Sequence, residues 1–343
     1  MKMQDKQQTE NVQEKVLLIG ERKMTVSDFL IRFNAPIILV ILIVISSLIS
    51  PIFLTRVNIV NVLRQQTGYI IIAMGLLMTL LTGGIDLSVA SLVGFGSIMI
   101  TELVTVHDWT VWSAIALTIL LSAGFGSISG FLIAYLNMQP FIVTLSMSFA
   151  VQGVVFIVSK GVNRMLTGSD PFITVFKAFG QRNDAVFGLP YRIYLTVMIV
   201  VFFWWMLKYT AYGRLMYAVG SNRVAVSLAG IDVRKYRLSG NIFSSAFAGM
   251  AGILITASNG GSSPSTVQGD YTMTAIAGAI IGGGDLGGGR GSVPLTVVGI
   301  FVMGLINNIM NLRNVPAYPQ WVVKSIVIII AIFMRSYINT RQK

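Results

Sequence analysis

Long apolar runs alternate with short polar connections along most of the chain. A helix needs about 20 mostly apolar residues to cross a lipid bilayer. Ten stretches meet or approach that length, at 34–53, 66–82, 87–105, 111–135, 140–158, 190–209, 240–258, 270–284, 293–312 and 319–336. The pattern therefore predicts an all-α polytopic membrane protein with about ten transmembrane helices in one domain.

Composition agrees with this prediction and removes several kinds of chemistry. The 343 residues are 54% hydrophobic and 11% charged, whereas soluble domains carry about 25% charged residues. The chain has no cysteine and one histidine, His107, so a thiolate site or a histidine-based metal site cannot be built. We expect no metal site and no catalytic residue.

The net charge of +12 is interpreted through the membrane. In a soluble protein, such an excess would suggest nucleic acid as a partner. Here it fits basic loops that fix the topology, because lysine and arginine concentrate on the cytoplasmic side. With ten spans, most basic residues fall on the side of the two termini. We therefore predict that both termini are cytoplasmic, that lipid surrounds the chain and that nucleic acid is not a partner.

Three regions follow from the polarity of the chain. Residues 1–32 are polar and of mixed charge and lack the features of a signal peptide, so we expect a cytoplasmic N-terminal segment. Residues 33–337 form the predicted membrane domain, which includes a cytoplasmic loop at 210–240. Residues 338–343 are expected to be a cytoplasmic tail.

The string LTGGIDLSVAS, from Leu81 to Ser91, places a carboxylate between two apolar runs. Gly83 and Gly84 can end one helix, since glycine accepts the left-handed conformation. Asp86 can then cap the next helix, with Ser88 nearby. Alternatively, Asp86 is an intramembrane carboxylate that lines a solute or proton path. The two interpretations are compatible if the turn itself lines the path.

A similar string, IIGGGDLGGGRGS, occupies residues 280–292 and places Gly283 and Asp285 where the first has Gly84 and Asp86. Six predicted spans separate the strings, so both should face the same side of the membrane. An inverted repeat of five spans would put them on opposite sides, so similar turn chemistry explains the likeness at least as well.

The chain has no nucleotide site that the sequence reveals. The G-x-G-x-x-G within residues 282–287 does not follow a predicted strand, and a G-x-x-x-x-G-K-[ST] sequence does not occur. The first pattern binds a dinucleotide only when it follows a strand and opens a helix, and the second is the loop that holds the phosphates of ATP. If ATP drives this protein, another polypeptide must hydrolyse it.

The segment from Thr210 to Gly240 is basic and about thirty residues long. Within it, SNRVAVSLAG predicts a short helix that begins at a Ser221 or Asn222 cap and stops at Gly230. Such a helix is either a docking element for a partner protein or a solvated connection that obeys the charge rule.

Several strings together resemble the permease subunits of bacterial ATP-binding-cassette importers for simple sugars, the group that includes ribose permeases. The strings are GGIDLSV (83–89), PFIVTL (140–145), YGRLMYAVGSNRVAVSLAGI (212–231), AIAGAIIGGGDLGGGRGSV (275–293) and NNIMNL (307–312). They have the order and spacing of that family, and the resemblance covers most of 34–337.

The resemblance implies a multi-pass subunit of the bacterial cytoplasmic (inner) membrane that translocates a monosaccharide. It implies three kinds of protein partner: ATPase subunits that bind ATP, an extracytoplasmic sugar-binding protein, and a second copy of the chain or a homologous permease. The chain itself would bind no cofactor.

The resemblance also assigns roles to residues. Those expected to couple the permease to the ATPase are Gly213, Arg214, Tyr217, Gly220, Asn222, Ala225 and Gly230. Those expected in the core turns of the translocation path are Gly83, Gly84, Asp86, Ser88, Gly283 and Asp285.

The chain departs from the family pattern at three places, which leaves the solute open. Ala90 replaces a glycine, Asp285 stands where serine or threonine is usual, and an acidic residue before AIA is replaced by Asp270 further upstream. An autoinducer-type or polyol solute is therefore an alternative. A secondary transporter coupled to ions through Asp86 is a further alternative. Lys324 is the other charged residue that could serve such a transporter, and we expect its ammonium group to extend, or snorkel, to the membrane surface.

Overall fold

The computed structural model describes residues 34–182 and 188–341, which are predominantly helical. The proposed N-terminal segment 1–32 and residues 342–343 lie outside the described residues. The helices of the first half are α1 (Asn34–Ile49), α2 (Arg56–Leu81), α3 (Val89–Thr105), α4 (Val111–Ala134), α5 (Pro140–Ser159) and α6 (Phe172–Gln181). Those of the second half are α7 (Tyr191–Tyr209), α8 (Ala211–Ser221), α9 (Arg223–Leu228), α10 (Val233–Asn259), α11 (Tyr271–Ile281), α12 (Val293–Leu312) and α13 (Ala317–Arg341).

Each of the ten predicted stretches overlaps one of these helices. Among the described helices, α4, α5, α7, α10 and α12 are long and apolar enough to cross a bilayer. Helix α2 begins at Arg56, ten residues before the predicted stretch, because Thr55 caps its polar first turn by accepting from the Asn58 amide at 3.4 Å. Helix α11 has only 11 residues. The all-α membrane class is thus supported, and the number of crossings stays a prediction.

Helices α2, α3 and α10 form the centre of the bundle. Residues 70–81 of α2 are buried throughout, and α10 packs against α2, α3 and α4. Small residues allow the close approach of α4 and α10: a Cβ atom on Gly126 would lie 2.6 Å from the Asn241 carbonyl oxygen. The serine- and glycine-rich strings of these two helices are therefore packing faces, as membrane helices require.

The peripheral helices present large apolar side chains outward. Exposed examples are Leu120 on α4, Phe149 and Ile157 on α5, and Met198 on α7. Soluble monomers rarely expose contiguous apolar surfaces of this extent. This distribution is that of a membrane protein whose outer surface faces lipid.

The two ends of the bundle differ. At one end, termed the turn end, α2 finishes at Leu81, α12 begins at Val293, and α8 packs against the end of α2 at Gly220. At the other, termed the cavity end, α6 packs against the last turn of α10. A short antiparallel pair there joins β1 (Arg164–Met165) to β2 (Gly261–Ser262), and a 3-10 helix (Pro264–Gln268) follows.

Candidate functional site

The turn between α2 and α3 is closed by its glycines and by Asp86. Gly83 has φ +73°, and the amide of Gly84 donates to the Thr79 carbonyl at 2.9 Å. This satisfies a carbonyl at the end of α2, as a left-handed cap does. The predicted helix stop at this glycine pair is confirmed.

Asp86 was predicted to cap α3, but it lies two residues before the capping position. The N-cap position of α3 is Ser88, not Asp86. The Asp86 carboxylate is buried and accepts from the Ser88 amide at 2.9 Å and from the Ser88 hydroxyl at 2.5 Å. Aspartate forms such a turn with its own backbone two residues on, so the side chain fixes the approach to α3 rather than capping it.

The turn between α11 and α12 repeats the same hydrogen bonds. Gly283 has φ +87°, and the Gly284 amide donates to the Ala279 carbonyl at 2.8 Å. The Asp285 carboxylate accepts from the Gly287 amide at 2.9 Å. The likeness between the two strings is therefore a likeness of turn geometry.

The two turns touch each other. The Gly289 amide donates to the Leu81 carbonyl at 2.9 Å, so both turns lie at the same end, as the count of spans predicts. A Cβ atom on Gly288 would lie 2.7 Å from the Gly83 nitrogen. Only glycine backbone permits this approach.

The segment 210–240 contains two short helices rather than one, and its last residues already belong to α10, which begins at Val233 and not at residue 240 as predicted. Helix α8 is capped by Thr210, whose hydroxyl accepts from the Gly213 amide at 3.1 Å. The Asn222 side chain caps α9 by accepting from the Ala225 amide at 3.0 Å, and Gly230 has φ +79°. The cap at Asn222 and the stop at Gly230 are confirmed, whereas α8 was not separately predicted.

Both turns are bonded to α8 and α9. The Tyr217 hydroxyl donates to the Gly291 carbonyl at 3.0 Å, and burial raises its pKa, which keeps the donor protonated. The Arg223 guanidinium donates to the carbonyls of Thr82 at 3.0 Å and Gly83 at 3.2 Å. The segment 210–240 and the two glycine strings therefore form one contiguous structure, termed the turn assembly: residues 81–88, 217–223 and 283–291.

Gly220 is the residue of α8 that lies closest to the backbone of the two turns. A Cβ atom there would overlap the Leu81 carbonyl oxygen and the Gly289 nitrogen. These are the two atoms that join the turns by a hydrogen bond. Any side chain at this position must displace α8 or separate the turns.

The remaining predicted coupling residues divide into packed and exposed positions. Gly213 packs against the last turn of α7, since a Cβ there would lie 2.5 Å from the Leu207 Cα. Arg214, Asn222, Ala225 and Gly230 are exposed. Within the part of the chain that the structure describes, Arg214 makes only a long contact with the Tyr209 carbonyl, at 3.5 Å, so its charge is available at the surface.

Helix α9 presents two apolar side chains outward beside these polar groups. Val224 is 70% exposed and Leu228 is 84% exposed. Val226, between them, is buried against the body of the protein. These two exposed residues define the α9 face.

A polar cavity of about 510 Å³ lies at the cavity end. Its walls come from α2, α6, α7, α10, α11, α12 and α13. Arg64 and Gln66 on α2, Arg192 on α7, Asn307 on α12 and Lys324 on α13 line it. Gln66 and Leu81 are separated on one helix by about 22 Å, at 1.5 Å per residue, so α2 joins the cavity to the turn assembly.

Some polar atoms of the cavity wall have no protein partner. Arg192 donates from its two terminal nitrogens to the Arg64 carbonyl and the Ser258 hydroxyl. Within the described part of the chain, Arg192 Nε, Gln66 Oε1 and Asn307 Oδ1 are buried without a hydrogen-bond partner. Buried polar groups are normally paired, so these atoms leave hydrogen-bonding capacity in the cavity wall.

Lys324 has a partner that the sequence did not reveal. It forms an ion pair with Asp270, which also accepts from the Tyr69 hydroxyl at 2.9 Å and the Thr274 hydroxyl at 3.2 Å. The interpretation of Lys324 as a snorkelling residue is wrong, because α11 brings a carboxylate to it.

Comparison with known proteins identifies the family. The profile of the family described as branched-chain amino acid transport system / permease component matches residues 58–332. The chain belongs to this permease family. The resemblance stated from the motifs is confirmed at that level.

Three relatives show how far the similarity extends. The ribose import permease protein of Haemophilus influenzae is 32% identical over 317 residues, which is 92% of this chain and 97% of the relative. That of Bacillus subtilis is 33% identical, over 86% and 90% of the two chains. The D-allose transport system permease protein of Escherichia coli is 31% identical, over 90% and 92%. No solved structure matches the permease.

The sequence motifs led to the turn assembly and missed the cavity of the permease. The signals were present: the polar run RQQT at 64–67, the asparagines at 307, 308 and 311, and Gln320 four residues before Lys324. Each lies near an end of one of the predicted apolar stretches, where polar residues are ordinary. A cluster of three or more metal-ligating side chains does not occur among the residues described at either end.

Proposed function

We propose that the permease is the membrane-spanning subunit of an ATP-binding-cassette importer that carries a monosaccharide across the bacterial cytoplasmic membrane. ATP is hydrolysed on separate ATPase subunits, and an extracytoplasmic binding protein delivers the sugar. The names of the relatives support the solute class, since they import ribose and allose.

The observation that carries the proposal is that the adjoining helices α8 and α9 are bonded to the two glycine turns, α9 through Arg223 and α8 through Tyr217. Leu228 and Val224 are exposed on a short helix, and Arg223 of the same helix is bonded to the α2–α3 turn. Exposed apolar side chains on a short helix suit docking into a partner's groove. A partner that moves α9 therefore moves the ends of α2 and α12 with it.

The mechanism that follows is alternating access without chemistry on the solute. The turn end is cytoplasmic and receives the ATPase, and the cavity end faces outward to receive sugar. Ten crossings and both termini in the cytoplasm fit this orientation. Because α2 runs from the turn assembly to the cavity, motion of its end is transmitted along a rigid helix, and a second permease copy or a homologue completes the path.

The cavity suits a solute rich in hydroxyl groups. Its unpartnered amide oxygens accept hydrogen bonds and its guanidinium donates them, and a sugar hydroxyl does both. Few direct bonds of this kind keep binding weak enough for release. Asp86 is not among the residues that line this cavity, and its carboxylate is engaged by Ser88, which disfavours an ion-coupled transporter that works through Asp86.

The test changes the α9 face alone. Leu228→Asp is expected to abolish co-purification with the ATPase subunit and ATP-dependent sugar uptake, because a charge replaces an apolar docking side chain. Val162→Asp, at an exposed apolar position between α5 and β1, is the matched control and should retain ATPase binding. Wild-type binding and uptake in Leu228→Asp would refute docking at α9.

A further inference from the structure

The walls of the cavity carry an excess of positive charge. Arg64, Arg192 and Lys324 line the cavity, and among the lining residues that the structure describes none is acidic. Asp270 lies behind the wall and compensates Lys324. Among the residues described, no carboxylate forms an ion pair with Arg64 or Arg192. Two guanidinium groups are therefore left without a counter-charge.

The two arginines are neighbours held by the fold. Arg192 reaches from α7 to donate to the backbone carbonyl of Arg64 on α2 and to Ser258 on α10. Its side chain belongs to a residue that is only 8% exposed, and its Nε is buried without a partner. These bonds fix its position, but they supply no negative charge to either guanidinium.

Uncompensated charges of like sign are costly in a partly buried site. An anion that enters relieves both costs at once, and arginine matches carboxylate and phosphate oxygens with parallel hydrogen bonds. Gln66, only 3% exposed, and Asn307 add unpartnered acceptors on the same wall. The wall therefore offers donors for an anionic group and acceptors for hydroxyl groups.

We propose that the cavity is specific for a sugar that bears an anionic group, a carboxylate or a phosphate, rather than for a neutral sugar. The anionic group lies against Arg64 and Arg192, and the hydroxyls donate to Gln66 and Asn307. This specificity rests on the proposed function as a sugar permease and narrows its substrate class.

The experiment measures ligand-induced thermal stabilisation of the purified full chain in detergent at constant ionic strength. The probes are D-ribose, D-gluconate, D-glucuronate and D-ribose 5-phosphate, with acetate and inorganic phosphate as anions without a sugar. At least one anionic sugar should stabilise the chain at a concentration about tenfold or more below that needed for D-ribose. Acetate and inorganic phosphate should not match it.

Variants separate the arginine site from general charge effects. Arg64→Gln should raise the concentration of the anionic sugar required by about tenfold or more, and Arg64→Lys should restore part of the preference. Arg313→Gln is the matched control, because Arg313 is exposed at the end of α12 and does not line the cavity. It should leave the preference unchanged.

Each contrary result overturns the proposal in a distinct way. If D-ribose stabilises the chain as well as the anionic sugars do, the anionic preference is wrong while sugar transport stands. If inorganic phosphate alone is as effective, or if the probes are all without effect, the cavity is not a site for an anionic sugar. ATP-dependent uptake of a neutral sugar by the assembled transporter then decides the proposed function separately.

Discussion

Replacement of Gly220 by alanine tests whether the turn assembly transmits motion. The new Cβ atom would overlap the Leu81 carbonyl oxygen and the Gly289 nitrogen, whose hydrogen bond at 2.9 Å joins the two turns. The exposed side chains of the α9 face are not altered by the substitution. The substitution therefore separates α8 from the turns and leaves the docking side chains present.

The expected magnitude follows from three contributions. Overpacking of this kind costs about 1–3 kcal/mol, and loss of the Gly289–Leu81 hydrogen bond costs about 1 kcal/mol. The higher helix propensity of alanine returns about 1 kcal/mol. The packing of α8 against the turns should weaken by about 1–3 kcal/mol, which lowers the equilibrium constant for the packed state by about 5- to 150-fold.

The assay compares sugar uptake with ATP hydrolysis in the assembled transporter. Gly220→Ala should retain ATPase association but transport fewer sugar molecules per ATP hydrolysed. Amide exchange of the peptide that contains Gly289 should become faster. Gly124→Ala on α4 is the matched control, since its Cβ would meet no atom within 4 Å, and it should behave as wild type.

Wild-type transport per ATP together with unchanged exchange at Gly289 would refute this reasoning. It would mean that the contact of α8 with the turns is not needed for coupling. Slower uptake that is explained entirely by lower protein levels would also count against it, because the expected defect is in coupling and not in quantity.

Two further substitutions examine the charged groups inside the bundle. Asp86→Asn should retain solute selectivity and lower the amount of folded protein modestly, because the asparagine oxygen can still accept from Ser88. Asp86→Ala should lower the amount of folded protein more. Altered selectivity at normal protein levels would contradict this prediction. Lys324→Met should destabilise the chain by about 3 kcal/mol because it leaves Asp270 unpaired in a partly buried site, and addition of Asp270→Asn should restore much of that stability, as measured by thermal unfolding in detergent; equal destabilisation by the double variant would argue against the pair.

Local chemistry allowed the turns to be predicted from sequence. Glycine pairs followed by aspartate specify a helix stop and a backbone-bonded carboxylate, whatever surrounds them. The Asn222 cap and the Gly230 stop were predictable for the same reason. Asp86 was predicted to be the N-cap of α3, but Ser88 occupies that position. The N-cap residue depends on where α3 begins, and sequence patterns locate helix ends only to within a few residues.

Contacts between distant segments were not predictable from local patterns. Arg223 contacts Thr82 and Gly83 across 140 residues of chain, and Lys324 meets Asp270 because α11 and α13 are neighbours. The cavity escaped notice for the same reason. Its polar side chains come from several helices that are far apart in the sequence, and no single helix shows the cavity on its own.

Reconstitution into liposomes tests the central claim most directly. Uptake of radiolabelled sugar is measured with the permease alone, under an imposed proton or sodium gradient, and with the permease assembled with its ATPase subunits and binding protein. The account predicts uptake only in the assembled transporter and only with ATP inside the compartment that holds the ATPase. Gradient-driven uptake by the permease alone would contradict it.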